Sequence, residues 1–89
     1  MGLDLLVKNG TVVDGSGAGR YGADIGVKSG RIVEVGRIRA NAERTINADG
    51  LVVAPGFIDG HTHMDAQVAW DPLGSCSCWH GVTTALMGN

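Results

Sequence analysis

Cysteine is nearly absent from this 89-residue sequence: Cys76 and Cys78 are the two, separated by one residue. Such a pair cannot staple a small fold, which excludes a disulfide scaffold and leaves reduced thiols of the cytosolic kind. Aromatic residues make up 4% of the chain, and only two prolines punctuate it. Charge of one sign is missing too. Seven Lys and Arg stand against nine Asp and Glu, a formal charge of −2 with both signs scattered. No basic stripe is there to attract a phosphate backbone, so nucleic acid is excluded as a partner. No apolar stretch approaches the roughly 18–20 residues that a bilayer span requires. Met1-Gly2-Leu3-Asp4 lacks the basic segment of a secretory leader, and Leu6 stands where myristoylation wants Ser or Thr. A soluble cytoplasmic protein with no membrane attachment is the expectation.

Glycine, by contrast, is plentiful: fifteen residues, far above the average share of roughly 7%. That implies many turns and few long helices. With 44% hydrophobic residues the chain is not disordered by composition. A free-standing domain of this size buries only about 60–65% of its unfolded surface, so its stability margin is thin.

Residues 1–54 read as short strands joined by tight turns. Leu3, Leu5 and Val7 alternate with Asp4, Leu6 and Lys8, the period of a half-buried strand. Asn9-Gly10 tolerates the positive φ of a two-residue hairpin leading into Thr11-Val12-Val13. A second hairpin joins Ala23–Val27 to Arg31–Val35 across Ser29-Gly30, and a third pairs residues 45–48 with 51–53 across Asp49-Gly50. The half is expected to be antiparallel sheet with one apolar face to cover. Residues 14–19 form a Gly/Ser loop without the strand–loop–helix context of a phosphate site.

Pro55-Gly56 marks a boundary, and residues 55–89 change character. Phe57-Ile58-Asp59 is a short strand. Asp71-Pro72 supplies an N-cap and first-turn proline, and Leu73, Cys76 and Trp79 can share one face of a short helix that Gly81 ends. Val82–Met87 is a buried strand by composition. Strand, helical connection and strand make a parallel βαβ unit.

The chemistry lies in Asp59-Gly60-His61-Thr62-His63-Met64-Asp65. On a strand, Asp59, His61 and His63 point to one side. Two imidazoles at i and i+2 can reach one metal ion, with a carboxylate of the same row as their partner. Read alone, the pair is either half of a tetrahedral shell or an incidental His-x-His. Cys-x-Cys on a helix splits its thiols between faces, so Cys76 and Cys78 read as buried or partly exposed thiols. His80 serves the carbonyls at a helix end. Trp70 and Trp79 read as packing residues.

Pro55-Gly56-Phe57-Ile58-Asp59-Gly60-His61-Thr62-His63 resembles the signature of the amidohydrolase superfamily. Asp65-Ala66-Gln67, Trp70-Asp71-Pro72 and residues 80–89 are similar to its D-aminoacylase branch, the N-acyl-D-amino-acid deacylases. The resemblance implies that residues 1–54 are part of a small β-sandwich and residues 55–89 the first β-α-β of a truncated (β/α)₈ barrel. It implies one or two Zn²⁺ ions in the complete enzyme, held in part by His61 and His63, with Asp59 and Asp65 as orienting carboxylates. It further implies hydrolysis of a non-peptide amide C–N bond in a small N-acyl amino acid or related amide. The metal-binding cysteine that follows Gly88-Asn89 in that branch, the later histidines and the aspartate base fall outside these residues. The 89-residue chain is therefore expected to be inactive alone, and to self-associate or fold poorly past Pro55. The alternatives are a cyclic-amide hydrolase of hydantoinase or dihydroorotase type, and a non-catalytic β module.

Overall fold

The computed structural model describes residues 2–88, and the chain divides into two compact units, Met1–Pro55 and Gly56–Asn89. Five strands build the first: β1 (Leu3–Val12), β2 (Tyr21–Lys28), β3 (Arg31–Gly36), β4 (Ala42–Asn47) and β5 (Val52–Val53). They form one sheet in the order β3-β2-β1-β4, with β5 also on β1.

The Ser29-Gly30 hairpin forms as expected. Both residues have positive φ, 52° and 74°, and Lys28 faces Arg31. These are the angles that match the twist of a two-residue turn.

Asn9-Gly10 does something else. Asn9 has φ 63°, yet β1 runs straight through it. Val7 faces Ile25 and Gly10 faces Ala23, so Lys8 and Asn9 together oppose Asp24. The positive φ makes a β-bulge, not a hairpin turn. The N–H that the bulge removes from the ladder donates to Asp24 Oδ1 at 2.8 Å.

The third expected hairpin is also corrected. β4 and β5 do not pair with each other; both lie parallel to β1, Leu3 facing Ala42 and Thr11 facing Val52. Asp49-Gly50 makes a step rather than a reversal, with the Leu51 N–H on the Ala48 carbonyl at 2.9 Å. The sheet is therefore mixed and not antiparallel throughout.

That topology places the core. β3 and β4 run the same way, so residues 37–41 must cross the sheet between them, and Ile38 packs there with Leu3 and Leu6. Leu6, which simple alternation put opposite Leu3, is 4% exposed. Burying such a side chain stabilises by about 1.5–3 kcal/mol. Room for its neighbours Leu3 and Ile38 exists because residue 26 is glycine: a Cβ there would sit 2.9 Å from Leu3 Cδ1 and 3.1 Å from Ile38 Cδ1. Asp24 holds the crossing segment, its Oδ2 accepting the Ile38 N–H at 3.1 Å.

In the second unit, β6 (Phe57–Asp59) and β7 (Val82–Ala85) pair in parallel, the expected crossover arrangement. The connection differs from its expectation. No helix spans residues 72–80; a short α1 (Met64–Gln67) comes earlier, and a 3-10 turn covers Cys78–His80. Gly74 and Cys76 take φ 59° and 70°, which no right-handed helix accommodates. Asp71 bends the chain as well, its Oδ2 accepting the N–H and hydroxyl of Ser75 at 2.9 and 2.6 Å. Gly81 ends the 3-10 turn with φ 92°, the role expected of it. β7 stops at Ala85, short of Met87. No helix among the described residues is long and apolar enough to cross a membrane.

Candidate functional site

β6 ends at Asp59, so His61 and His63 lie beyond the strand and not on it. The segment from Gly60 to His63 is irregular, and α1 starts at Met64 with His63 as its N-cap residue. Both imidazoles are exposed. Their centroids are 5.6 Å apart, with the rings at 89° to each other.

That spacing can be tested against a shared ion. Zn–N bonds of about 2.0–2.1 Å at tetrahedral angles bring two imidazole centroids to about 5.3 Å. In centroid separation the pair comes within a few tenths of an ångström of that value. It cannot close a shell, and among the described residues no three His, Cys, Asp or Glu are grouped to hold a metal.

The two expected carboxylates are placed differently from each other. Asp59 is half-buried, and its Oδ1 accepts the backbone N–H of His61 at 3.2 Å; the carboxylate is engaged with the main chain. Asp65 is exposed in the first turn of α1.

Thr62, between the histidines, escaped the sequence reading. It is 6% exposed, and its hydroxyl donates to the Leu86 carbonyl at 2.8 Å. Alternation was the available signal: a side chain between two outward imidazoles points inward, and an inward hydroxyl needs a partner.

The other candidates lie apart from this chemistry. Cys76 and Cys78 are free and exposed, whereas some burial was expected. Trp70 and Trp79 are 75% and 79% exposed; without the helix they have no face to pack, and the packing role read for them is corrected. His80 closes the 3-10 turn. Asp71 is held below the usual carboxylate range, first by the Ser75 hydroxyl, then by the Gln67 amide and by backbone N–H groups. It borders a hollow of about 230 Å³ whose walls include Met64, Gln67, Leu73, Cys78 and Val82 but neither imidazole.

The amidohydrolase family model matches residues 44–89, just over half of the sequence and all of the His-x-His segment. The chain belongs to the amidohydrolase family. Within it, the D-aminoacylase of Alcaligenes xylosoxydans xylosoxydans is 42% identical over 87 residues, covering 97% of this chain and 18% of that protein. A crystal structure of N-acyl-D-glutamate deacylase from Bordetella bronchiseptica, with zinc and a phosphonate mimic of the tetrahedral intermediate, superposes on this chain with a TM-score of 0.95. It is 39% identical, and the match covers 100% of this chain and 19% of that one. The D-hydantoinase of Ralstonia pickettii is 48% identical over 63 residues, 71% of this chain and 13% of that protein. The chain thus spans under a fifth of the length of these relatives, and its β-rich fold matches one stretch of the deacylase structure.

Proposed function

We propose that this chain contributes part of the metal site of an N-acyl-D-amino-acid deacylase, a hydrolase that cleaves the amide C–N bond of a small N-acyl amino acid. The observation that carries the reading is the exposed pair His61 and His63, with centroids 5.6 Å apart, just past the end of a strand in a parallel pair. In barrel hydrolases that end of a parallel strand is where sites are built. On this reading residues 1–54 are part of a small β-sandwich domain and residues 55–89 begin a (β/α)₈ barrel.

Zinc, when bound, polarises the amide carbonyl and makes water nucleophilic near neutral pH. The chain's own part is narrower. His61 and His63 present two exposed imidazoles with centroids 5.6 Å apart, and Thr62, tied to Leu86, is buried between them. Asp65 stands exposed one residue past Met64, and its role as an orienting carboxylate rests on the resemblance.

A cyclic-amide hydrolase is the second reading, favoured by the 48% identity to D-hydantoinase. The deacylase is preferred because its likeness extends over 97% of the chain and not 71%.

The test has two arms. Zinc titration by calorimetry is expected to show binding that the double variant His61→Ala/His63→Ala loses; equal binding by both removes the ligand assignment. Turnover of N-acetyl-D-glutamate and of hydantoin by the full-length protein then separates the two readings, with the acyl amino acid expected to be the better substrate.

A further inference from the structure

We infer that Asp59 and Thr62 are a pair of positioning residues, which together replace one main-chain ladder bond and so turn the chain out of the sheet to present both imidazoles. The inference rests on His61 and His63 being metal ligands, as proposed above.

Asp59 faces Ala85 across the parallel pair, and the Asp59 carbonyl accepts the Leu86 N–H at 2.9 Å. In a parallel ladder the next bond in sequence would run from the His61 N–H to the Leu86 carbonyl. That bond is not made. The His61 N–H instead goes to the Asp59 carboxylate at 3.2 Å, and the Leu86 carbonyl receives the Thr62 hydroxyl at 2.8 Å. Donor and acceptor are each supplied with a side-chain substitute, so neither group of the broken bond is left without a partner.

The exchange has a geometric consequence. A continuing strand would keep residues 61 and 63 in the ladder, with side chains pointing along a fixed normal. With the ladder cut at residue 60, His61 and His63 instead flank an inward Thr62. The Met64 N–H reaches the Thr62 Oγ1 at 3.5 Å, which ties the same hydroxyl to the start of α1. One oxygen therefore couples the end of β7, the histidine segment and the helix. Asp59 acts through the main chain, by accepting one N–H, and its negative charge is not the operative property.

The test is cobalt(II) titration of the full-length protein, read by calorimetry and by the visible d–d bands, which report coordination geometry. Thr62→Val removes the hydroxyl and keeps the shape; affinity is expected to fall by about 10–100-fold, the range for groups that orient metal ligands, and the bands to change. Thr62→Ser restores the donor and is expected to bind as the parent does. Asp59→Asn keeps an acceptor oxygen and is expected to bind cobalt as the parent does. Thr62→Val with parental affinity and spectrum overturns the inference, as does a Thr62→Ser variant that is impaired as much. A large loss in Asp59→Asn overturns the main-chain role of Asp59 in favour of its charge. If Thr62→Val does not fold, Asp59→Leu, which removes the acceptor of the His61 N–H, takes its place: a fall of about 10–100-fold is expected, and parental affinity and spectrum overturn the inference. The His61→Ala/His63→Ala variant separates the two layers. Parental affinity there removes the ligand assignment, whereas loss there with retention in Thr62→Val removes only the positioning role.

Discussion

Leu3, Leu6, Val12, Ile25, Ile38 and Ala48 are the buried hydrophobic residues among those described, and all six belong to the first unit; the buried residue of the second is a threonine, Thr62. Phe57, Ile58, Trp70, Leu73 and Trp79, all in the second unit, are between 64% and 82% exposed. The first unit is held by apolar contact across a sheet. The second is held by turns, side-chain hydrogen bonds and a two-stranded ladder. Since burial is the dominant favourable term in folding, the units differ in how far a local change should spread.

The largest contrast comes from truncating one leucine in each. Leu6→Ala opens the cluster with Leu3 and Ile38 and is expected to cost about 2–5 kcal/mol. Leu73→Ala, at a position 82% exposed, is expected to stay within about 0.5 kcal/mol in the 89-residue chain. Urea unfolding followed by far-UV circular dichroism measures both. Comparable losses would erase the distinction between the units.

Acid should divide them next. The Asp24 carboxylate lies below its ordinary range because the backbone N–H groups of Asn9 and Ile38 bond to it, helped by the charges of Lys8 and Arg37. A depressed folded pKa means that the stabilisation is complete above the unfolded value of about 3.9 and is lost as pH falls through the folded value. Hydrogen bonds to a charged group contribute about 1.5–3 kcal/mol each, and these two tie together β1, β2 and the segment that carries Ile38. Asp71 is depressed as well, chiefly by the Ser75 hydroxyl, but it joins residues only four apart. Urea midpoints measured from pH 6 to pH 2.5 are expected to fall for the parent and to fall less steeply for Asp24→Asn. Asp71→Asn is expected to leave the slope nearly unchanged. The reverse ranking would place the acid-sensitive bonds in the second unit.

A single backbone contact makes the second unit sensitive at one point. A Cβ on Gly56 would overlap the Thr83 side chain in β7. Gly56→Ala is expected to destabilise the β6–β7 pair by roughly 1–3 kcal/mol, the range for overpacking. Thr83→Gly in the same chain, which removes the Oγ1 and Cγ2 and also the Cβ that would lie 2.6 Å away, should recover part of it. Hydrogen exchange at Phe57 and Leu86, whose amides bond across this pair, reads the effect. Failure of the second substitution to rescue would mean that Gly56 is needed for a reason other than space.

The sequence was legible where local geometry and global topology agree. Ser29-Gly30 is both a hairpin dipeptide and a hairpin, and the break at Pro55-Gly56 falls where the two units meet in sequence. Asn9-Gly10 and Asp49-Gly50 carry the same dipeptide signal, but partners distant in sequence decide its use. Asp24 is on hand to take the Asn9 N–H, and β1 takes both β4 and β5 as parallel neighbours. No local pattern encodes that pairing. The helix expected over residues 72–80 failed for a related reason. A first-turn proline and three-residue spacing satisfied the pattern, while Gly74 and Cys76 adopted left-handed angles that the pattern does not test. The histidine pair was legible as chemistry. Its support was not, because the Asp59 and Thr62 bonds appear only once the ladder bond that they replace is known.

The smallest effect separates the two units most directly, because nearly the same strain is applied to both. Gly30 in the β2–β3 turn has φ 74° and Gly81 after the 3-10 turn has φ 92°. Alanine in that region costs about 1–2 kcal/mol wherever it is placed. A Cβ at Gly30 would meet nothing within 4 Å, and one at Gly81 would approach Phe57 Cδ2 at 3.4 Å, an ordinary contact. Strain from φ therefore dominates at both. In the first unit the hairpin belongs to a sheet with a common core, so Gly30→Ala should lower amide protection in β1, β2 and β3 together. In the second, Gly81→Ala should lower it near residues 78–82 and leave α1 as it was, because no buried apolar cluster links them. Residue-resolved hydrogen exchange distinguishes these patterns, which a melting temperature alone does not. Uniform loss across the second unit after Gly81→Ala would show that its hydrogen-bonded turns are as cooperative as the packed sheet, and that burial is not what separates the two.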